Sequence, residues 1–294
     1  MKKIVSLLLA GMMVLSLAAC GSEKTSETTE QPEAEEAVVE ETAEEEVVET
    51  TELYVFAAAS MTETLTEISE LYKAENPAVE LVFNFDSSGT LKTQIQEGAV
   101  CDLFISAGQK QMNQLDITAD PEVNTEGLDY VLEDTRIDIL ENKVTLCVSD
   151  TSEAGIETFD DWAEALKNGE ILMAMGNSDV PVGQYTQKIL AYYGLSEEEL
   201  AGAGTISYGS NVKEVTTQVS EGSVDCGVIY CTDAFSAGLT VTDAATAEMC
   251  GQVIYPAAVL KTSENQELAK EFLAFLQTDA CMEIFEGVGF SRVQ

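Results

Sequence analysis

The chain has no histidine, a single tryptophan, and only 14 lysines and arginines against 53 aspartates and glutamates in 294 residues. Without histidine, the commonest general base is missing, and so is the usual partner of a serine or cysteine nucleophile. No residue set pairs a nucleophile with a base, so an enzyme is disfavoured. The same gap, with no close Cys-x-x-Cys pair, argues against zinc, and no cation ligands are expected. A formal charge of −39 repels nucleic acid and anionic surfaces, which removes nucleic acid as a partner. Besides Cys20 there are six irregularly spaced cysteines, Cys101, Cys147, Cys226, Cys231, Cys250 and Cys281. A core of this size needs no disulfide staples, so they read as small buried apolar residues.

At the start of the chain, Lys2 and Lys3 precede an apolar stretch, Ile4 to Leu17, that is too short for a comfortable bilayer span. Leu17-Ala18-Ala19-Cys20-Gly21 follows, and residues 1–19 read as a secretory signal. A cysteine after that small-residue pair resembles a bacterial lipobox, which implies a lipid on Cys20 that anchors the protein to the outer face of the cell membrane. An ordinary cleaved signal is the alternative.

From Gly21 to Glu52 there are thirteen glutamates, one lysine (Lys24) and no aromatic residue. Such a segment cannot bury enough apolar surface to fold. Residues 20–52 are expected to form an acidic, disordered tether with a coil span of roughly 30 Å; a specific acidic binding tail is the sharper alternative. The remainder, Leu53 to Gln294, keeps 40 acids and 11 bases, a net of −29. Any small anion it binds must be held by local geometry against that field.

Apolar runs and helical spacing alternate along this part. Strands are expected at Leu53–Ala58, Val79–Phe85 and Asp102–Ser106, with a helix over Met61–Glu75 and another through Leu91 and Ile95. The same order returns at Val144–Val148, Ile171–Met175, Thr205–Tyr208 and Val224–Tyr230, with helices at Phe159–Lys167, Gly183–Tyr193 and Val212–Ser220. A strand at Val253–Leu260 and helices at Asn265–Gln277 and near Cys281–Phe285 close the chain. The alternation argues for an α/β architecture of two units with mainly parallel sheets flanked by helices.

Four strand-to-helix junctions carry small residues: VFAAAS ending at Ser60, VFNFDSS ending at Ser88, ILMAMGNSDVPVG around Val182, and TISYGSNV ending at Val212. Helix N-termini leave N–H groups unpaired and attract anions, and in open parallel sheets ligands sit at this end of the strands. Two junctions fall in each unit, so a cleft between units would collect all four. Plainer readings stay open: Ser60 with Glu63 fits a capping box, Ser88 fits an N-cap, and Val182 fits a buried loop residue. Asn211 suits an N-cap ahead of Val212. Tyr230, at the end of GVIY, is either a core tyrosine or a hydroxyl donor.

The motifs VFAAASMTETL, SSGTLKTQIQEGAVCDLFISAGQKQM, GNSDVPVGQYTQKIL, SNVKEV, GVIYCTDA, YPAAVLK and GVGF, in that order, resemble the molybdate-binding proteins of ABC transporters over Leu53 to Phe290. The resemblance implies a two-lobed periplasmic-binding-protein fold of type II-like form. Lobe 1 would be 53–140 and lobe 2 would be 141–254, with 255–294 returning to lobe 1. It also implies that two serine hydroxyls, two backbone amides and a tyrosine hydroxyl hold a tetrahedral oxyanion: Ser60, Ser88, Val182, Val212 and Tyr230. The expectation is a monomeric lipoprotein without a cofactor that binds molybdate, and tungstate too, and delivers it to a membrane permease. Another oxyanion such as sulfate, or a surface lipoprotein with no small ligand, is the alternative. Asp86 and Asp179 depart from the family's pattern, and a carboxylate facing the anion would oppose it. Both are expected to point away or to be satisfied by local N–H groups.

Overall fold

A computed structural model describes residues 50–293. The expected signal segment, Cys20 and the tether through residue 49 lie outside them. Ten strands occur among the described residues: β1 (Thr51–Ala58), β2 (Val79–Asp86), β3 (Leu103–Ile105), β4 (Ile137–Asn142), β5 (Val144–Val148), β6 (Met173–Gly176), β7 (Ile206–Gly209), β8 (Cys226–Tyr230), β9 (Val241–Ala244) and β10 (Val253–Val259). The helices are α1 (Thr62–Glu75), α2 (Ser88–Gln96), α3 (Gln109–Asn113), α4 (Phe159–Asn168), α5 (Pro181–Tyr192), α6 (Glu197–Ala203), α7 (Val212–Ser220), α8 (Cys231–Ala237), α9 (Ala247–Cys250), α10 (Gln266–Phe275) and α11 (Asp279–Gly287).

Two five-stranded sheets form, in the orders β2-β1-β3-β10-β4 and β7-β6-β8-β5-β9. In each, the first three strands run parallel and the fourth is reversed. The fifth is antiparallel to the fourth, so it runs with the first three. The sheets are therefore mixed, with four strands one way and one against. The reversed strand is the one that has just crossed from the other sheet: β5 follows β4 across Lys143, and β10 follows β9. The chain thus changes sheet at Lys143 and again between Ala244 and Val253. β1 also begins two residues inside the segment assigned to the tether, because Thr51 pairs with Val79 and its N–H donates to Ala78 O at 2.8 Å.

Period-two alternation buries both faces of the first sheet. Leu53, Val55, Ala57, Leu103 and Ile105 enter one core. Phe56, Phe104 and Ala258 pack on the opposite face with Leu91, Ile95 and Met112. In the second lobe Phe159 and Trp162 of α4 are fully buried and meet edge-on, ring centroids 5.5 Å apart. Thr158 and Asp161 form a capping box ahead of them, and Gly169 ends the helix at φ 70°. Gly183 lets α5 lie against β6, since a Cβ there would stand 2.2 Å from Gly176 O. The six cysteines within the described residues are free thiols, five of them buried.

Candidate functional site

β1 leads through a 3-10 turn, Ala59–Met61, into α1, β2 leads into α2, β6 into α5 and β7 into α7. The four helix starts meet between the lobes around a small cavity. Ala58, Ala59, Ser60, Asp86, Ser87, Ser88 and Ala107 line it from one lobe, and Val180, Pro181, Val182, Val212 and Tyr230 from the other. Ser60, Ser88, Val182, Val212 and Tyr230, distant in sequence, are thus brought to one cavity.

Their local settings differ from simple caps. Ser60 lies inside the 3-10 turn rather than ahead of α1, so the capping box with Glu63 does not form. Its Oγ is instead 2.8 Å from Tyr255 Oη, while Glu63 accepts from Lys213 Nζ at 2.7 Å. Nor is Ser88 the cap of α2: Ser87 takes that place, accepting from Thr90 N–H at 3.1 Å. Ser88 is the first helical residue, and its Oγ accepts from Ala107 N–H at 2.9 Å. With that acceptance made, the hydroxyl hydrogen of Ser88 is left for a ligand.

Val182 is the second residue of α5, after Pro181, and its side chain is buried. Val212 opens α7 behind Asn211, whose side chain accepts from Glu214 N–H at 3.1 Å. First-turn N–H groups have no carbonyl four residues back, so both amides remain donors at the cavity. Tyr230 ends β8, and its Oη donates to Ala107 O over 3.5 Å, a long contact easily exchanged for a ligand. Burial holds its phenol well above the ordinary value of 10, so it stays a neutral donor at physiological pH.

Among the described residues no lysine or arginine lines the cavity, and Asp86 is the one charged residue that does. Its Oδ1 accepts from Ser87 N–H at 2.7 Å and from Asn211 Nδ2 of the other lobe at 3.3 Å. Asp179 is exposed and is not among the lining residues. The lobes are closed on each other. Gly89 abuts the Asp179 carbonyl, and Lys213 links Glu63 of lobe 1 to Asp233 of lobe 2, 3.3 Å from its Oδ1. Burial pushes the Asp233 carboxyl up to about 6 even with Lys213 beside it.

Sequence patterns did not single out Asn142, Ala107, Asp233 or the role of Tyr255. The available signal was a polar residue at the end or middle of an apolar strand: Asn142 ends IDILEN, and Tyr255 interrupts VIYPAAV.

The profile of the bacterial extracellular solute-binding proteins matches residues 53–291. The chain belongs to that family. This solute-binding protein is similar to the putative ABC transporter substrate-binding lipoprotein YvgL of Bacillus subtilis, with 31% identity over 241 residues, 81% of this chain and 86% of the relative. The molybdate-binding protein ModA of Haemophilus influenzae is 30% identical over 243 residues, covering 81% of this chain and 89% of its own. Among solved structures, the substrate-binding domain of a putative molybdenum ABC transporter from Clostridium difficile is 32% identical, with a TM-score of 0.58, and 83% of this chain and 99% of that one are covered. The protein is an extracytoplasmic ABC-transporter substrate-binding protein of the ModA-like kind, with the α/β two-lobed periplasmic-binding-protein fold; members of its family bind solutes and are not enzymes.

Proposed function

We propose that this solute-binding protein captures molybdate, and tungstate too, between its lobes and hands it to the membrane permease of an ABC importer. A lipid on Cys20 would hold it at the membrane, and the unit would act as a monomer without a cofactor. The observation that carries the reading is a small cavity between the lobes whose donors are all neutral: two serine hydroxyls, two first-turn amides and a phenol.

Molybdate at neutral pH is a fully deprotonated dianion, so each useful contact must come from a donor. Hydrogen bonds to a charged partner contribute about 1.5–3 kcal/mol each. Neutral dipoles avoid the desolvation of a buried lysine or arginine. A smaller oxyanion such as sulfate cannot reach donors fixed on both lobes, and the O–H of partly protonated phosphate meets a donor at each of the five contacts, with Asp86 Oδ1 already taken by Ser87 N–H and Asn211 Nδ2. Only the closed form makes every contact, so ligand favours closure and the permease can read it. Calorimetric titration of the full chain in detergent with molybdate, tungstate, sulfate and phosphate tests the reading. We expect tight binding of the first two alone; heat with sulfate and none with molybdate would reassign the ligand.

A further inference from the structure

Behind Ser60 a line of buried polar side chains runs away from the cavity to the crossover between lobes. Tyr255 Oη is 2.8 Å from Ser60 Oγ, and Asn142 Nδ2 lies 3.1 Å from Tyr255 Oη and 3.0 Å from Thr232 Oγ1. Ser60, Asn142, Tyr255 and Thr232 are all at most 4% exposed. The hydrogen directions along this line follow from one group that can only donate. Lys143 N–H points at the Asn142 side chain over 2.8 Å, so the atom it meets is the amide oxygen. Cys231 Sγ donates to that same oxygen at 3.1 Å.

The amide nitrogen of Asn142 therefore faces Tyr255, and Tyr255 Oη accepts from it. The phenol's own hydrogen then goes to Ser60 Oγ, its remaining partner. Ser60, having accepted, has its hydrogen left over for the cavity. Ser88 is placed the same way by Ala107 N–H, except that there the donor is backbone. Burial keeps the Tyr255 phenol neutral, so the line does not lose its proton at physiological pH.

We propose that Asn142 and Tyr255 are positioning residues that lock Ser60 as an obligate donor, so that the site selects oxyanions by their lack of protons. A free serine hydroxyl donates or accepts as its neighbour requires, and would tolerate an anion carrying an O–H. A serine whose oxygen already accepts from Tyr255 keeps one lone pair, but its own hydrogen has to find its acceptor in the ligand, and the polarised chain makes it a stronger donor to a bare oxygen. The inference rests on the oxyanion-binding reading above and adds a source of its specificity.

The test compares wild type with Tyr255→Phe, each as the full chain in detergent, by calorimetry with molybdate and with phosphate at pH 7 and by thermal melting. Tyr255→Phe leaves Asn142 Nδ2 its bond to Thr232 and frees Ser60 to turn. We expect molybdate to bind about tenfold more weakly and the preference for molybdate over phosphate to fall by more than that factor. A merely structural role would weaken both anions together. Asn142→Asp is the second variant, and it covers the case in which Tyr255→Phe fails to fold. The ionised carboxylate introduced by that substitution accepts from Tyr255, which then accepts from Ser60, so the serine shows its lone pairs to the cavity and the preference falls further. A folded variant that keeps wild-type affinity and wild-type exclusion of phosphate overturns this inference alone. A wild-type chain that takes up none of the oxyanions overturns the functional reading and this inference with it.

Discussion

Gly89→Ala separates ligand binding from folding. Gly89 is the second residue of α2, where alanine is compatible with the backbone and favours helix by up to about 1 kcal/mol. Its missing side chain matters between lobes rather than within one. A Cβ at this position would stand 2.2 Å from Asp179 O and 3.0 Å from Asp179 C, both backbone atoms of the opposite lobe. Ordinary contact between carbon and oxygen begins near ~3.3 Å, so the Asp179 segment must withdraw by about 1 Å.

Asp179 sits just ahead of α5, and Val182 N–H moves with it. A hydrogen bond of about 2.9 Å to a ligand held by Ser60 and Ser88 would stretch to about 3.9 Å, beyond useful length. If the second lobe withdraws as a body, Val212 N–H is lost as well. Two charge-assisted bonds at about 1.5–3 kcal/mol each come to about 3–6 kcal/mol, or roughly a hundred- to ten-thousandfold in Kd. The ligand-free melting temperature should stay level or rise slightly. Calorimetry with molybdate reads the first effect, a melt without ligand the second, and small-angle scattering the failure to close. Wild-type affinity in a folded Gly89→Ala chain would refute the argument that these backbones touch in the bound state.

Val212→Pro deletes one donor at a position that suits proline, since it opens α7 and Asn211 before it is extended at φ −152°, ψ 173°. Molybdate affinity should fall roughly tenfold to a hundredfold, with at most about 1 kcal/mol lost by denaturant titration. The Asp233 carboxyl is raised by burial from 3.8 to about 6, so its contribution is fully present below pH 3.8 and lost as pH rises through about 6. Between pH 5 and 8 the wild type should lose on the order of 1–3 kcal/mol of stability on this account, and Asp233→Asn should flatten that slope in melts across the range. Lys213→Ala leaves the same carboxylate buried without its cation, so it should destabilise by about 1–3 kcal/mol at pH 8 and much less at pH 5. Stopped-flow association of molybdate should speed up as salt is added, because a net negative protein repels a dianion at long range and ions screen that field.

The strand-to-helix junctions were legible because their residues are forced by local chemistry. Asn211 caps α7 and Pro181 opens α5, and both types betray a helix start. What misled was the assignment within a junction. Ser60 stands two residues past Ala58, which caps the 3-10 turn, and Ser88 one residue past Ser87, which caps α2. Nothing in a strand's own pattern gives its direction, so the reversal of β5 and β10 could not be read from their apolar runs. β9 buries none of its four residues and shows no alternation, and α8 starts directly after Tyr230 with no residue to mark it. The Asn142–Tyr255–Ser60 line was out of reach for another reason. Its partners are 113 and 195 residues apart, and only a fold brings them together.

Why such an acidic chain should bind an anion without a cation follows from its own carboxylates. The folded part keeps 40 acids and 11 bases, so a lysine placed near the cleft is exposed to capture by neighbouring side chains before any ligand arrives. Lys213 shows the outcome. It follows Val212 in the chain, yet its ammonium is held by Glu63 and Asp233 and lines no part of the cavity. A backbone N–H in a helix's first turn cannot be drawn away in this manner, because its direction is set by the helix. A hydroxyl whose oxygen already accepts from a buried donor is almost as constrained. The distant charges act through solvent and fade within about 8 Å at physiological salt, while these dipoles act at contact among buried residues. Neutral, oriented donors are therefore the form of anion recognition that an acid-rich protein can keep from quenching itself.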